Sequence, residues 1–178
     1  VELTIFSLKP CNETLVHPAA AAIVAQGRVV YASPRTSALR FAAAALRHPI
    51  KVAKLMWQFR SAYDGSFASL MKSYASMAIA AEWIPLMRER GIEHIHAPWG
   101  TYPSTAALFC SRIAGMRFSF TTRAHDLFLE DHGLELKFSE ARFAQTITEY
   151  NRRLIGQRYP CHVADALHVI HSALYPDA

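Results

Sequence analysis

The sequence contains few cysteines, and none of them is close to another. Its three thiols, Cys11, Cys110 and Cys161, are odd in number and show no C-x-x-C spacing. A disulfide framework or a cysteine-based zinc site would need clustered cysteines, so neither is predicted. We interpret these residues as buried or idle thiols in a reducing compartment.

The sequence also lacks a long uninterrupted hydrophobic run. The longest apolar tract, residues 73–87, reads SYASMAIAAEWIPLM and is broken by serine, glutamate and proline. A membrane-spanning helix needs about 20 apolar residues, so neither a span nor a signal peptide is predicted. The chain opens on VELTIFSL without an initiator Met and closes on LHVIHSALYPDA. We expect both ends to be cuts through a larger protein.

Charge of one sign is not concentrated in a run of like residues. The formal net charge is +5, with 52% hydrophobic and 19% charged residues, over 178 residues. This composition predicts one globular domain. The charge is modest for a nucleic-acid-binding protein, but it suits an anionic ligand or membrane surface. His162, His168 and His171 show no metal-ligand spacing with a carboxylate, so no metal is predicted.

Hydrophobic patterning predicts an α/β fold with a parallel sheet. From residue 92 onward strands and helices alternate, which favours right-handed crossovers and a Rossmann-like sheet with helices on both faces. The predicted strands are 2–8, 29–32, 92–97, 118–122, 143–148 and 167–171. The predicted helices after residue 92 are 101–114, 134–141 and 149–156. A polar loop is expected between residues 122 and 134.

A helical insertion is predicted at about residues 37–90. Its three helices are expected at 37–48, 50–60 and 66–90, with the middle one begun by Pro49. That middle helix mixes Lys51, Lys54 and Arg60 with apolar residues, as in helices that lie on anionic membranes. The alternative is an ordinary amphipathic helix whose basic side chains extend over an apolar surface.

Two predicted strands end in histidines. His96 ends the strand at 92–97 and His125 follows the strand at 118–122. Ligands bind at the carboxyl ends of parallel strands, where loops and helix N-termini converge, so these two loops form one candidate site. Around His125, Asp126 is expected to orient the imidazole and Arg123 to meet an anion. The alternatives are a backbone-bonded loop histidine at 125 and a packed strand histidine at 96.

Further candidates flank these histidines. Trp99, beside Gly100, offers a stacking surface for a sugar ring or is simply wedged between loops. Thr101 either faces the site or caps the following helix. Glu149 and Asn151 stand at another strand-to-helix junction, where they either face the same cleft or merely start the helix.

The sequence after residue 92 resembles a known enzyme family. The stretches that carry the resemblance are HIHAPWGTYPSTAALFCSRIAGMRFSFTTRAHDLF, LELKFSEARFAQTITEYNRRLIG and HVIHSALYPDA. They resemble the N-terminal domain of family 4 glycosyltransferases, the retaining GT-B enzymes, especially bacterial exopolysaccharide and colanic-acid-type transferases. The most specific parts are FTTRAHDLF and ARFAQTITEYNRRL. The helical segment before residue 90 contributes little.

The resemblance implies an acceptor-binding half of a two-domain retaining glycosyltransferase. A C-terminal domain of the same protein would bind the donor, a UDP- or GDP-sugar. The acceptor would be a glycan or polyprenyl-linked glycan, contacted by His125 as the catalytic residue, with neither a cofactor nor a protein-bound metal. A first strand with a glycine-rich loop is expected before Val1, and the isolated chain is expected to be inactive.

The resemblance further implies a cytoplasmic location, peripheral on the inner face of the plasma membrane. Two other functions stay open at this stage. The chain is alternatively a non-catalytic acceptor-binding or membrane-docking subunit that works with a separate donor-binding chain. The third alternative is an unrelated α/β module that binds a small anion.

Overall fold

The computed structural model describes residues 3–10, 17–129, 131–160 and 166–172. In chain order the elements are β1 (Ile5–Ser7), α1 (Pro18–Ala25), β2 (Val29–Tyr31), α2 (Pro34–Arg47), α3 (Pro49–Ser61), β3 (Tyr63–Asp64), α4 (Phe67–Glu89), β4 (His94–Ala97), α5 (Tyr102–Ala114), β5 (Arg117–Thr122), α6 (Ala124–Phe128), β6 (Asp131–His132), α7 (Leu134–Glu140), β7 (Phe143–Thr146), α8 (Glu149–Arg158) and β8 (Leu167–Val169). Cys11, Cys161 and His162 lie outside the described residues.

A four-stranded parallel sheet in the order β4-β5-β7-β8 organises the second half of the chain. Its register pairs Phe120 with Ala97 on one side and with Ala144 on the other. Strand order follows chain order and crossovers in parallel sheets are right-handed, so α5, α7 and α8 connect the strands along one face. The predicted α/β class, with a Rossmann-like parallel sheet flanked by helices, is confirmed.

The side chains of β5 explain how this sheet joins the core. Phe118 and Phe120 are almost completely buried, with their rings 6.3 Å apart. Alternate residues of a strand point to one face, so both rings lie on the side covered by the connecting helices. Phe120 also packs against Phe138 of α7, at 5.1 Å between ring centroids. Each such ring stabilises the fold by about 1.5–3 kcal/mol through burial.

The opposite face of the sheet is polar. It carries His94, His96, Ser119, Thr121, Phe143, Gln145 and His168. The histidines at positions 94, 96 and 168 are exposed. Because the two faces differ in this way, β4, β5 and β8 read as alternating apolar and polar residues, whereas β7 places Phe143 on the polar face.

Helix α5 connects β4 to β5 and is buried along most of its length. Leu108 and Phe109 are fully enclosed, and Cys110 is 1% exposed. Burial raises the pKa of the Cys110 thiol to about 12. Gly115 ends the helix in the left-handed conformation, at φ +75°. This thiol therefore behaves as a small apolar side chain, as the sequence predicts.

The segment predicted as a helical insertion contains α2, α3 and α4. Helix α4 packs against both α5 and α2. Helix α3 turns Val52, Leu55 and Phe59 into the core. Within the described ranges, no helix is long and apolar enough to cross a bilayer.

Two small elements replace the polar loop expected after residue 122. Helix α6 forms because the Asp126 Oδ2 accepts a hydrogen bond from the Arg123 backbone N–H at 2.9 Å. Strand β6 then pairs antiparallel with β3, placing His132 opposite Tyr63. The expectation of an irregular loop here was wrong, because Tyr63, which is 69 residues from His132 in the chain, pairs with His132 and orders the segment.

The strand predicted at 143–148 ends two residues early, at Thr146. The hydroxyl of Thr148 accepts a hydrogen bond from the Asn151 N–H at 3.1 Å and so caps α8. Threonine favours both strands and helix N-caps, and the cap determines the boundary here.

Gly133 immediately precedes α7 and lies close to the ring of Phe59. Its φ is +70°, and a Cβ there would lie 3.1 Å from the Phe59 Cε2 atom. We expect Gly133→Ala to lower the free energy of unfolding by about 2 kcal/mol, because the left-handed conformation and the close contact both penalise a side chain. Urea denaturation measures this change.

A matched control uses Gly156 in α8, where an added Cβ would meet nothing within 4 Å. Gly156→Ala should raise stability by about 0.5–1 kcal/mol, since alanine favours a helix interior. Equal stability of the two variants would contradict the role assigned to Gly133.

Candidate functional site

A cavity of about 360 Å³ opens where β4 and β5 give way to their following segments. It is lined by Ser69, Thr101, Tyr102, His125, Leu129 and His132. Thr101 immediately precedes α5, Tyr102 is the first residue of α5, and His125 lies in α6. The cavity therefore occupies the carboxyl edge of the sheet, the edge predicted from the sequence to bind ligands.

The lining side chains give the cavity its chemistry. Three hydroxyl groups come from Ser69, Thr101 and Tyr102, and two imidazoles come from His125 and His132. Hydroxyl and imidazole groups can each donate and accept hydrogen bonds. The lining can therefore form hydrogen bonds with a ligand that carries hydroxyl groups.

His125 and His132 occupy different environments in this cavity. His125 is exposed, whereas His132 is 3% exposed. The ring of His132 contacts the edge of Tyr102, with centroids 5.2 Å apart, and its Nδ1 lies 3.4 Å from the Tyr63 hydroxyl. His132 is thus held in place by aromatic neighbours, while the imidazole of His125 is accessible to a ligand.

Thr101 immediately precedes α5, but its side chain makes no capping hydrogen bond. Its carbonyl oxygen instead accepts hydrogen bonds from the hydroxyls of Ser104 and Thr105, at 2.8 and 3.1 Å. The capping alternative for the Thr101 side chain is therefore wrong, and the residue lines the cavity.

Beneath the cavity lies a buried lysine that the sequence reasoning missed. Lys137 is fully enclosed, and its Nζ donates to the carbonyl oxygens of Gly100 and Thr101 at 2.8 and 3.0 Å. Its ammonium group also lies 5.6 Å from the centroid of the Phe59 ring. Lys137 therefore fixes the segment that joins β4 to α5 from below.

The electrostatics of Lys137 reflect this enclosure. Burial lowers its pKa to about 7, and the carboxylates of Asp126 and Asp131 oppose that shift. A sequence-level indication was available: Leu134, Lys137 and Phe138 are spaced to share one face of a helix, and the flanking pair is apolar. A lysine on that face enters the core.

Asp126 also contacts the segment that joins β4 to α5, through the backbone N–H of Gly100. It is 1% exposed, and burial raises the pKa of its carboxyl group. The backbone N–H groups of Arg123 and Gly100, and then the charges of Lys137 and His125, oppose the shift. A Cβ on Gly100 would lie 3.2 Å from the Asp126 Cβ atom, so glycine permits this close approach. Asp126 thus joins the loops that follow β4 and β5.

Arg123 and Trp99 also join these two loops. The guanidinium carbon of Arg123 lies 4.8 Å from the centroid of the Trp99 ring, a cation–π distance. Trp99 remains 40% exposed. The pair lies on the two loops that border the cavity, although neither residue lines it.

His96 is placed away from His125, on the polar face of the sheet. Its Nδ1 lies 2.8 Å from the Ser119 hydroxyl, and its Nε2 lies 3.1 Å from the Thr121 hydroxyl. Partial burial of the imidazole lowers the pKa of His96, and nearby His94 lowers it further. The structure therefore does not bring the two predicted histidines together.

Glu149 and Asn151 begin α8. Glu149 is exposed and pairs with Arg152 at 3.6 Å. Asn151 is buried. The rings of Phe128 and Tyr150 are stacked at 6.4 Å, so the start of α8 lies beside α6. This places both residues next to the site without placing them in the cavity.

Comparison with known proteins does not assign the chain to a class. No protein-family model matches the sequence, and no curated protein matches it significantly. Within the described ranges, no three histidine, cysteine or acidic side chains are grouped to hold a metal ion.

Proposed function

We propose that this chain is the acceptor-binding half of a retaining glycosyltransferase that transfers a sugar from a UDP- or GDP-sugar to a glycan or polyprenyl-linked glycan. The observation that supports the proposal most directly is the cavity of about 360 Å³ at the carboxyl edge of the sheet, lined by hydroxyl and imidazole groups that include His125. The resemblance of FTTRAHDLF and ARFAQTITEYNRRL to family 4 glycosyltransferases supports the same reaction.

The proposed chemistry assigns a role to each group. Transfer to a hydroxyl requires a positioned acceptor and help with the loss of its proton. Ser69, Thr101 and Tyr102 position the acceptor through their hydroxyl groups. His125 accepts the hydrogen bond of the reacting hydroxyl and aids the loss of its proton. A C-terminal donor-binding domain supplies the nucleotide sugar and stabilises the departing diphosphate.

A larger side chain at Ser69 would fill the cavity and test the proposal without changing His125. In the full-length enzyme, Ser69→Trp should raise the KM for the acceptor by about tenfold or more, because the indole occupies the space of one sugar ring. The KM for the nucleotide sugar should stay unchanged, since donor binding is assigned to the other domain. Steady-state kinetics with each substrate varied in turn measure both values.

The matched control is Ser139→Trp, at an exposed serine of α7, which should leave both KM values unchanged. An unchanged acceptor KM in Ser69→Trp would contradict the assignment of the cavity to the acceptor. Acceptor binding without transfer from any nucleotide sugar would contradict the catalytic proposal and favour a non-catalytic acceptor-binding subunit.

A further inference from the structure

Helices α2 and α3 contain all of the excess positive charge in the chain. They carry six exposed basic residues and no acidic residue: Arg35, Arg40, Arg47, Lys51, Lys54 and Arg60. The formal net charge of the whole chain is +5. The other elements and loops therefore have slightly more acidic than basic residues, and the positive field originates at one place in the fold.

Large apolar side chains emerge from the same two helices. Leu39 and Leu46 of α2 are 73% and 84% exposed, and Ile50 and Trp57 of α3 are 81% and 70% exposed. Leu39 and Leu46 are seven residues apart, as are Ile50 and Trp57, so each pair lies along one side of its helix. Each helix therefore presents an apolar stripe to solvent.

The core does not need these side chains. Helix α3 already buries Val52, Leu55 and Phe59 on its inner side. Ile50, Lys54 and Trp57 follow one another at helical spacing on the outer side, with Lys51 and Arg60 flanking them. The outer side of α3 thus combines two large apolar side chains with Lys54 between them and with Lys51 and Arg60 at the margins, a mixture found in helices that lie in a membrane interface.

A basic groove continues this surface along the side of α2. Arg40, Arg47 and His48 face Arg88 of α4 across a space of about 70 Å³. Each groove arginine of α2 directly follows a stripe leucine, since Arg40 follows Leu39 and Arg47 follows Leu46. None of the residues that line the groove is acidic. Anionic head groups would therefore meet cations directly beside the apolar stripe.

We infer that the outer face of α2 and α3, which we call the basic apolar surface, docks onto an anionic lipid membrane. Leu39, Leu46, Ile50 and Trp57 enter the boundary between head groups and acyl chains. The flanking lysines and arginines pair with lipid phosphates. This inference does not depend on the proposed transferase function.

A membrane explains this surface better than a nucleic acid does. A phosphate backbone would neutralise the cations, but it would leave four large aliphatic and aromatic side chains in water. An anionic bilayer satisfies both components, because it offers charged head groups above an apolar interior. Charge complementarity and apolar burial therefore select the same occupant.

Vesicle sedimentation tests the inference with the 178-residue chain. We expect the protein to sediment with vesicles that contain phosphatidylglycerol and not with vesicles of phosphatidylcholine alone. The double variant K51E/K54E should lower the bound fraction at least fivefold by removing the attraction to lipid phosphates. The double variant I50S/W57S should lower it by a similar factor, although it leaves the charge unchanged.

The control variant R142E/R153E makes the same change in charge at exposed residues of the loop before β7 and of α8, and it should bind like the wild type. Thermal unfolding by circular dichroism verifies that each variant is folded. Binding of the wild type to both vesicle types alike would overturn the inference. An unchanged bound fraction in I50S/W57S, or an equal loss in R142E/R153E, would indicate unspecific electrostatic attachment and would also overturn it.

Discussion

For the proposed glycosyltransferase, replacing His125 by alanine is expected to lower the rate of glycosyl transfer by about a hundredfold or more. A positioned imidazole that handles the acceptor proton typically contributes 10²–10⁴-fold, that is, roughly 3–5 kcal/mol of barrier. His125 lines the cavity and is accessible to a ligand, unlike the packed imidazole of His132. Affinity for the nucleotide sugar should stay close to that of the wild type. Initial-rate kinetics and equilibrium binding of the nucleotide sugar measure the two effects separately.

His168→Ala is the control for this experiment. His168 is exposed on the polar face of the sheet, where it contacts Phe143. This variant should transfer sugar at the wild-type rate. Wild-type turnover in His125→Ala would remove His125 from the proposed mechanism and leave it as a surface histidine of α6.

Replacing Lys137 by methionine is expected to lower the free energy of unfolding by about 3 kcal/mol. Methionine fills most of the volume, but it leaves the carbonyl oxygens of Gly100 and Thr101 without the hydrogen bonds that the ammonium group supplies at 2.8 and 3.0 Å. It also removes the positive charge near Asp126. Urea denaturation measures the loss. Lys72→Met, at an exposed lysine of α4, should change stability by less than about 0.5 kcal/mol.

Lys137 also predicts how stability depends on pH. Burial lowers its pKa in the folded state to about 7, from 10.5 in an exposed lysine. Between these values the unfolded chain binds a proton that the folded chain has lost. Stability should therefore rise with pH, by about 1 kcal/mol from pH 7.5 to 8.5, and fall as pH decreases towards the folded pKa.

The histidines and the cysteine with shifted pKa values among the described residues act outside this pH window. Partial burial lowers the pKa values of His94 and His96 from 6.5. The change in stability with pH that these two histidines cause is therefore complete below pH 7.5. Burial raises the pKa of Cys110 above its usual 9.0, so its opposing contribution begins at higher pH. Lys137→Met should abolish the rise. A wild-type rise that persists in this variant would contradict the assignment of the titration to Lys137.

Local pattern was sufficient to predict the regular elements around the sheet. Strands β4 and β5 alternate apolar and polar residues, and α5 ends at a glycine, so both kinds of element have local causes. The predicted boundaries of these elements differ from the observed ones by about two residues. The strand before α8 shows why: Thr148 suits either element, and its capping hydrogen bond decides between them.

The candidate site was only partly accessible from sequence. The carboxyl-edge rule placed Thr101 and His125 in one region, and both line the cavity. The same rule placed His96 there as well, but the period of two residues in a strand turns its side chain onto the polar face of the sheet. Ser69 was missed because it reaches the cavity from α4, which is distant along the chain. His132 was missed because β6 was expected to be part of an irregular loop.

Sequence pattern alone was enough to predict the α/β class, the alternation of strands and helices around the sheet and the basic, apolar character of α3, because periodicity and composition are local properties. The packing of the elements alone shows that β3 pairs with β6, that Lys137 lies beneath Gly100 and Thr101, and that Ser69 reaches the same cavity as His125. Each of these features joins residues far apart in the chain. Its stability comes from burial and hydrogen bonds that exist only when distant elements pack together.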